Sequence, residues 1–287
     1  MFVLLAALML ALLLHADLTM AAASAACRLF VTAVLPGLFP YMVLSQMAVS
    51  RVRHISPLLL MLMGWGGGSP TGARLLPLCE GLPPREQVRL AVSCATMSPM
   101  FLLGTLGGWL ASPMAGAVVL GSVSAGGAVA GWAAGRAAFR RPSAQGADRR
   151  AATGRSGDHP AARASLTFGE AVEQSARTML LVCGTMVMLR VFTVLAAKVL
   201  PSALVLPVTT LLEVTAGAAE IVALPLPLPW RTALLAGATG FGGIAIIMQN
   251  RALYPAGFMP LWQQLLWQGL HGIAAFLLAL GVMGLAC

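Results

Sequence analysis

The sequence predicts an all-α polytopic membrane protein with two inverted repeats, each containing a re-entrant hairpin and a broken helix. Of its 287 residues, 59% are hydrophobic and 9% are charged, whereas a soluble domain carries roughly 25% charged residues. The mean hydropathy is +0.86, and the order helix, hairpin, broken helix, helix occurs twice. These observations place the chain in a lipid bilayer and exclude a soluble enzyme, a secreted disulfide scaffold and a disordered tail.

The first predicted element is a transmembrane helix over residues 1–20. This apolar stretch and the small-residue run Ala21 to Ala26 together resemble a signal peptide. A cleaved signal begins with a positive segment, but the first basic residue here is Arg28. We therefore expect an uncleaved first helix.

Repeat 1 is predicted to cover residues 21–134. Its four elements are a helix at 25–49, a hairpin at 57–80, a broken helix at 85–111 and a span at 114–134. The hairpin is predicted because Gly64 to Gly72 contains six glycine or proline residues between two apolar halves that are each too short to span. The broken helix is expected to be interrupted at Ser98-Pro99 and at Gly104.

Hydrophobicity collapses between the repeats, and this predicts a basic cytoplasmic linker at 135–165. Repeat 2 then covers residues 166–287. Its four elements are a helix at 169–199, a hairpin at 201–229, a broken helix at 230–254 and a span at 258–284. The second hairpin is predicted to turn at Val214 to Gly217, and the second broken helix to be interrupted at Phe241-Gly242-Gly243.

The basic residues support a topology of seven spans and two hairpins. Eight of the 18 Lys and Arg residues lie between Arg136 and Arg177, in and around the linker. If the linker is cytoplasmic, most other basic residues also fall inside, namely Arg51, Arg53, Arg85, Arg89 and Arg251, against Lys198 and Arg231 outside. The hairpins then enter from opposite faces, as in secondary transporters. The alternative is that the glycines only allow ordinary spanning helices to pack closely.

Two charges near the hairpin tips predict a solute site. Arg74 follows the first tip and Glu213 lies at the second, so both could reach one central cavity. A guanidinium beside the N-terminus of a half-helix favours a carboxylate, which predicts a small anionic solute. The alternative is that the two side chains only neutralise each other. Glu213 could also exchange a coupling ion, proton or sodium, during a gating cycle.

The predicted solute-binding residues lie at the tips and breaks: Gly68, Ser69, Thr71, Gly72, Arg74, Thr96, Ser98, Glu213, Thr215, Gly217, Gly242, Gly243 and Gln249. Arg190 is expected to pair with Glu220, and Asn250 to be an interfacial anchor. No nucleophile with its base, metal cluster or cofactor motif is visible, so we expect neither catalysis nor a cofactor. The expected partners are the anionic solute, membrane lipids, the coupling ion and a second copy of the chain, but not nucleic acid.

Several ordered motifs resemble the nucleoside-recognition (Gate) family, in particular its YlbJ-type sporulation integral membrane proteins. They are Val34 to Tyr41, Gly67 to Arg74, Ser98 to Phe101, Leu212 to Gly217, and Phe241 to Ile244 with Gln249. The resemblance covers most of the chain from Ala25 onward. The sequence departs from the family pattern at Ala95 and Thr96 (asparagines in the family), Ser69 (tyrosine), Ser98 (glycine) and Ala245 (serine).

The resemblance implies a fold like that of concentrative nucleoside transporters and a multi-pass location in a bacterial cell membrane, such as the outer forespore membrane. It also implies transport of a small anionic metabolite during sporulation, such as dipicolinic acid. Two alternatives stay open, namely a nucleoside transporter and a non-transporting scaffold of a sporulation or envelope complex. A scaffold would fill the space between the hairpin tips with apolar side chains.

Overall fold

The computed structural model describes residues 2–51, 56–76, 82–139 and 165–285. These residues form helices and connecting turns, with no strand among them. The α-helices, in chain order, are α1 (Phe2–Leu14), α2 (Ala16–Leu29), α3 (Leu35–Ser50), α4 (Pro57–Gly67), α5 (Thr71–Leu75), α6 (Pro84–Ser93), α7 (Gly107–Trp109), α8 (Pro113–Phe139), α9 (Phe168–Ala196), α10 (Ser202–Leu212), α11 (Val214–Val222), α12 (Leu228–Phe241), α13 (Gly243–Leu253) and α14 (Leu261–Leu285). Two π-helical segments, Phe30–Val34 and Met100–Leu106, complete the described helices.

Among the residues that the structure describes, five helical segments are long and apolar enough to cross a membrane, namely Ala16–Ser50, Pro113–Ala138, Phe168–Ala196, Leu228–Leu253 and Leu261–Leu285. This confirms an all-α membrane protein. The described residues contain two fewer spanning segments than the seven that the sequence predicted. The helix at the N-terminus has only 13 residues, and the first broken helix is divided into segments that are each too short to span.

The boundary between the first two helices differs from the predicted one. The first helix ends at Leu14 rather than at residue 20, and the next helix runs from Ala16 to Ser50. The run Ala21 to Ala26 continues that helix because alanine has the highest intrinsic helix propensity. Pro36 and Pro40 do not end it. The π-helical segment Phe30–Val34 precedes them, and the Leu35 amide donates to the Phe30 carbonyl across it.

The predicted first hairpin is a pair of helices, α4 and α5, around a break at residues 68–70. Ser56 caps α4 by accepting a hydrogen bond from the Leu59 amide at 3.2 Å, directly before Pro57 at the first helical position. The chain then folds back on itself. A Cβ at Gly64 would lie only 3.4 Å from the Cα of Gly72, so α4 and α5 approach each other closely. The prediction of a non-helical tip from Gly64 to Gly72 was too long, since glycines at 64, 66 and 67 remain helical.

The first broken helix consists of α6 and the helical segment from Met100 to Trp109, separated by non-helical residues at 94–98. The break at Ser98-Pro99 is confirmed, and Gly104 lies within a π-helical segment rather than at a gap. A long helix, α8, follows and reaches Phe139. The predicted linker at 135–165 therefore begins inside α8, while its residues 140–164 lie outside the described ranges, as do residues 77–80 of the predicted first hairpin.

The second half has the same order of elements. Thr167 and Glu170 form a capping box that starts α9. The hairpin of α10 and α11 breaks at Glu213 alone, so Val214 to Gly217 is helical and the prediction of a turn there was wrong. The second broken helix is interrupted at Gly242, as predicted. The inverted relation of the two halves and the return of each hairpin to its own membrane face stay predictions.

Helices α8, α12 and α14 pack closely against one another. Their contacts are close because glycines face the partner helices. A Cβ at Gly126 would lie 3.0 Å from the Ala275 nitrogen, and a Cβ at Gly240 would lie 3.0 Å from the Ala275 Cβ. Of this group, α12 contacts α11 of the second hairpin, and α8 contacts the segment Met100–Leu106 that follows the first break.

Candidate functional site

The four helix interruptions meet at one central cavity. Its volume is about 30 Å³, which holds one or two water molecules. Its polar lining residues are Ser69, Ser98, Glu213, Thr215 and Gln249. Its apolar lining residues are Val34, Leu38, Met97, Phe101, Val182, Met186, Val214, Ala245 and Ile246. The central cavity is therefore polar in part, and in this conformation it has room for water molecules only.

The tip of the first hairpin is held against the first break by its backbone. The Ser69 amide donates to the Thr96 carbonyl at 2.5 Å. Gly68 has φ 63 and ψ −170, a combination that only glycine adopts readily. A Cβ at Gly68 would collide with the backbone nitrogen of Ser98. This contact places Ser69 and Ser98 side by side on the cavity wall.

The tip of the second hairpin is built around a buried carboxylate. Glu213 is 2% exposed and has an extended backbone between α10 and α11. Its two oxygens accept hydrogen bonds from the Thr215 amide at 2.9 Å and the Ala216 amide at 2.6 Å. Glu213 therefore caps α11, where the helix dipole also favours a negative charge.

The second break lies directly against the second tip. Gly242 and Gly243 have φ values of 78 and 75, in the left-handed region that favours glycine. A Cβ at Gly243 would lie 3.3 Å from the backbone nitrogen of Val214. Beyond the break, the Gln249 side-chain amide donates to the Thr185 hydroxyl of α9 at 2.7 Å. Each hairpin tip is therefore paired with the break of its own half.

One hydrogen bond joins the two halves at the cavity. The Ser69 hydroxyl donates to the Asn250 side-chain oxygen at 2.5 Å. Asn250 is 3% exposed, so its interpretation as an interfacial anchor was wrong. The signal that could have identified it is its position on α13, immediately after the candidate Gln249.

Arg74 lies outside the central cavity. Its guanidinium donates to the Gln174 carbonyl at 2.9 Å, to the Gln174 side-chain oxygen at 2.9 Å and to the Thr178 hydroxyl. Neither the predicted shared site nor the alternative of direct neutralisation is present, because Arg74 and Glu213 form no ion pair. Arg74 instead ties the first hairpin to α9. The predicted pair of Arg190 and Glu220 is confirmed, with nitrogen and oxygen 3.0 Å apart.

The predicted site residues fall into three groups. Five line the cavity, namely Ser69, Ser98, Glu213, Thr215 and Gln249. Four others form the breaks or their contacts, namely Gly68, Thr96, Gly242 and Gly243. The remaining four, Thr71, Gly72, Arg74 and Gly217, pack within the hairpins or against neighbouring helices. None of the apolar lining residues was predicted to bind solute, because only polar side chains and glycines at the tips and breaks were selected from the sequence.

Glu213 is the only ionisable side chain among the described lining residues of the central cavity. Its carboxyl oxygens accept hydrogen bonds, and so do the hydroxyls, which also donate. Such a lining stabilises a solute with several hydrogen-bond donors. No group of three metal-ligating side chains occurs in the described ranges.

We expect Arg74→Met to lower the stability of the folded protein by about 2–3 kcal/mol, because the variant loses charge-assisted hydrogen bonds to α9. Thermal unfolding in detergent measures this. The matched control is Arg177→Met on α9, whose pair with Glu173 is largely exposed and whose loss should cost under about 0.5 kcal/mol. Unchanged unfolding with lost solute binding would instead make Arg74 a solute ligand.

The comparisons with known proteins add no relative. No protein-family model, curated protein or solved structure matches the chain. The site is therefore defined by its own geometry, in which two hairpin tips, two helix breaks and one buried carboxylate surround a small, partly polar cavity.

Proposed function

We propose that the chain is a secondary transporter or facilitator of a small polar solute across a bacterial cell membrane, with the central cavity as its solute site. The single observation that supports this is that both hairpin tips, the first break and the helix that follows the second break line one partly polar cavity. Broken helices and hairpin tips meet in this way at the midplane sites of secondary transporters. Glu213 caps α11 through two backbone amides and also lines the cavity, so the same side chain can serve the fold and a solute.

The chemistry of the lining favours an uncharged solute that carries several hydroxyl or amine groups. Glu213, Ser69, Ser98 and Gln249 can accept hydrogen bonds from such groups. The apolar wall, with Phe101 and Met186, suits a flat ring. A nucleoside has both features, and the resemblance to the Gate family supports the same class. We therefore propose an uncharged solute rather than the anionic solute that the sequence predicted.

An anionic solute, such as dipicolinic acid in a sporulating cell, remains the second candidate. It rests on the family resemblance and on Arg74. To bind an anion, the Arg74 guanidinium would have to break its hydrogen bonds to Gln174 and Thr178. The anion would also have to bind close to the Glu213 carboxyl group. Both requirements cost free energy.

Transport requires the cavity to open, because about 30 Å³ is far below the roughly 300 Å³ or more of a small-molecule site. The non-helical residues at the tips and breaks are the places where the backbone can change direction with little loss of helical hydrogen bonding. Exposed apolar side chains on the outer helices, such as Leu180 at 72% and Leu277 at 60%, face the lipid in this proposal. We also propose a coupling ion and a second copy of the chain as partners.

The test is uptake of radiolabelled solutes by the purified protein in liposomes. We expect an uncharged nucleoside such as uridine to accumulate more than dipicolinate or another dicarboxylate. Preference for the dicarboxylate would favour the second candidate. No uptake of either class, compared with empty liposomes, would contradict transport and favour a scaffold.

A pair of glutamine variants tests the position of the site. We expect Gln249→Leu to lower uptake about tenfold, because a buried polar contact with the solute is lost. Gln46→Leu is the matched control, since Gln46 also donates its side-chain amide to a hydroxyl of α9, at Ser175 2.9 Å away, but lies outside the cavity. Its uptake should change less than about twofold. Equal effects of both variants would place the solute elsewhere.

A further inference from the structure

A second, partly polar cavity is lined by residues that follow those of the central cavity on α13, such as Asn250 after Gln249. It is about 10 Å³ in volume, the space of one water molecule. Its polar lining residues are Asn250, Tyr254, Gln264 and Gln268. Gln268 is 5% exposed, and its side-chain oxygen has no hydrogen-bond partner among the described residues. A buried acceptor without a partner is costly, so this cavity offers a place for a hydrogen-bond donor.

The partition between the two cavities contains the hydrogen bond from Ser69 to Asn250. Ser69 lines the central cavity, and Asn250 lines the second cavity. Gln249 and Asn250, adjacent on α13, face one cavity each. Breaking the Ser69–Asn250 contact frees the first hairpin tip from α13, while Tyr254 and Gln268 still donate hydrogen bonds to backbone carbonyls of the first half, at Ala91 and Ala95.

The second cavity lies towards a basic face of the protein, which is formed by Arg85, Arg89, Arg136 and Arg251. Two of its lining residues, Val92 and Met259, pack with Ala130 and Ala134 in the last turns of α8. Arg136 follows on that helix, and the Arg251 guanidinium donates to the Met259 carbonyl at 3.1 Å. By the positive-inside rule, this is the cytoplasmic face.

We propose that the solute passes between the central cavity and the basic face through the second cavity, and that the Ser69–Asn250 hydrogen bond is the closed gate between them. This inference rests on the proposed transport function and assigns a second binding position to the same solute, where the Gln268 oxygen accepts a hydrogen bond from it. A single hydrogen bond between neutral side chains suits a gate, because it holds the closed state by a small net free energy and can break during each cycle.

The test measures access to the central cavity without any solute. The five native cysteines are replaced by alanine, and Ala245→Cys introduces one thiol that lines the central cavity. A membrane-impermeant methanethiosulfonate reagent is then added to vesicles with either the basic face or the opposite face outward. We expect Ser69→Ala and Asn250→Ala each to raise the labelling rate from the basic face about fivefold, as the open population grows.

The matched control is Ser175→Ala, which removes another buried hydrogen bond between side chains, from Gln46, at a distance from both cavities. Its labelling rate should equal that of the parent. Ser69→Ala removes only one oxygen, so it serves if Asn250→Ala does not fold. Parental labelling rates in both gate variants, or an increase only from the opposite face, would overturn the gate. Because no solute is used, this result is separate from a failure of uptake.

Discussion

Replacing Gly68 with alanine is expected to abolish uptake and to lower the stability of the folded protein by about 3 kcal/mol or more. Two independent causes add here. The backbone of Gly68, with φ 63 and ψ −170, is strained for any residue with a side chain. The added Cβ would also collide with the backbone nitrogen of Ser98, and backbone cannot rotate away as a side chain can. Thermal unfolding and liposome uptake measure the two effects.

Gly184→Ala is the control for this prediction. Gly184 lies inside α9, and a Cβ there would meet nothing within 4 Å. Alanine in an open helical position should be neutral or stabilising by up to about 1 kcal/mol. If Gly68→Ala unfolds at the same temperature as Gly184→Ala, the tip of the first hairpin is not held against the first break as described.

The breaks were predictable because their chemistry is local. Gly68, Pro99 and Gly242 interrupt helices through their own backbone properties, which depend little on the rest of the fold. The class of the protein followed from composition for a similar reason, since the bilayer fixes the length and polarity of any spanning segment. The exact length of each break did not follow, because glycine tolerates a helix when neighbours pack closely. The glycines at 64 and 67 show this, and both remain in α4.

The partners of the polar side chains were not predictable from the chain alone. A charge near a break indicates a buried group, but not which helix faces it. Arg74 is the fourth residue of α5, and its guanidinium contacts α9 rather than the second hairpin. His271 is fully buried, and its ring nitrogen lies 2.8 Å from the Val123 carbonyl oxygen of α8. These contacts depend on the rotation of each helix about its axis, which tertiary packing decides.

Glu213→Gln is expected to lower uptake by one to two orders of magnitude. A hydrogen bond from a solute donor to a carboxylate is worth about 1.5–3 kcal/mol, and an amide oxygen provides much less. The glutamine side chain has nearly the same size, so the shape of the central cavity should be kept. The variant also loses one of the two capping bonds to α11, since an amide has one acceptor oxygen. That loss should cost about 1–2 kcal/mol of stability.

The control for Glu213→Gln is Glu220→Gln. Glu220 lies in α11, the helix that Glu213 caps. The Glu220 side chain is 36% exposed, and its pair with Arg190 lies outside the central cavity. This change should leave uptake within about twofold and cost at most about 1 kcal/mol of stability.

A comparison of Glu213→Gln with the wild type tests whether Glu213 carries a coupling proton. If it does, wild-type uptake should respond to an imposed proton gradient, while Glu213→Gln should not, because an amide cannot bind and release the proton during the cycle. An uptake that responds to a sodium gradient in both proteins would assign the coupling ion elsewhere. Normal uptake by Glu213→Gln, together with a lowered unfolding temperature, would reduce Glu213 to the cap of α11 and would contradict a solute contact at the second hairpin tip.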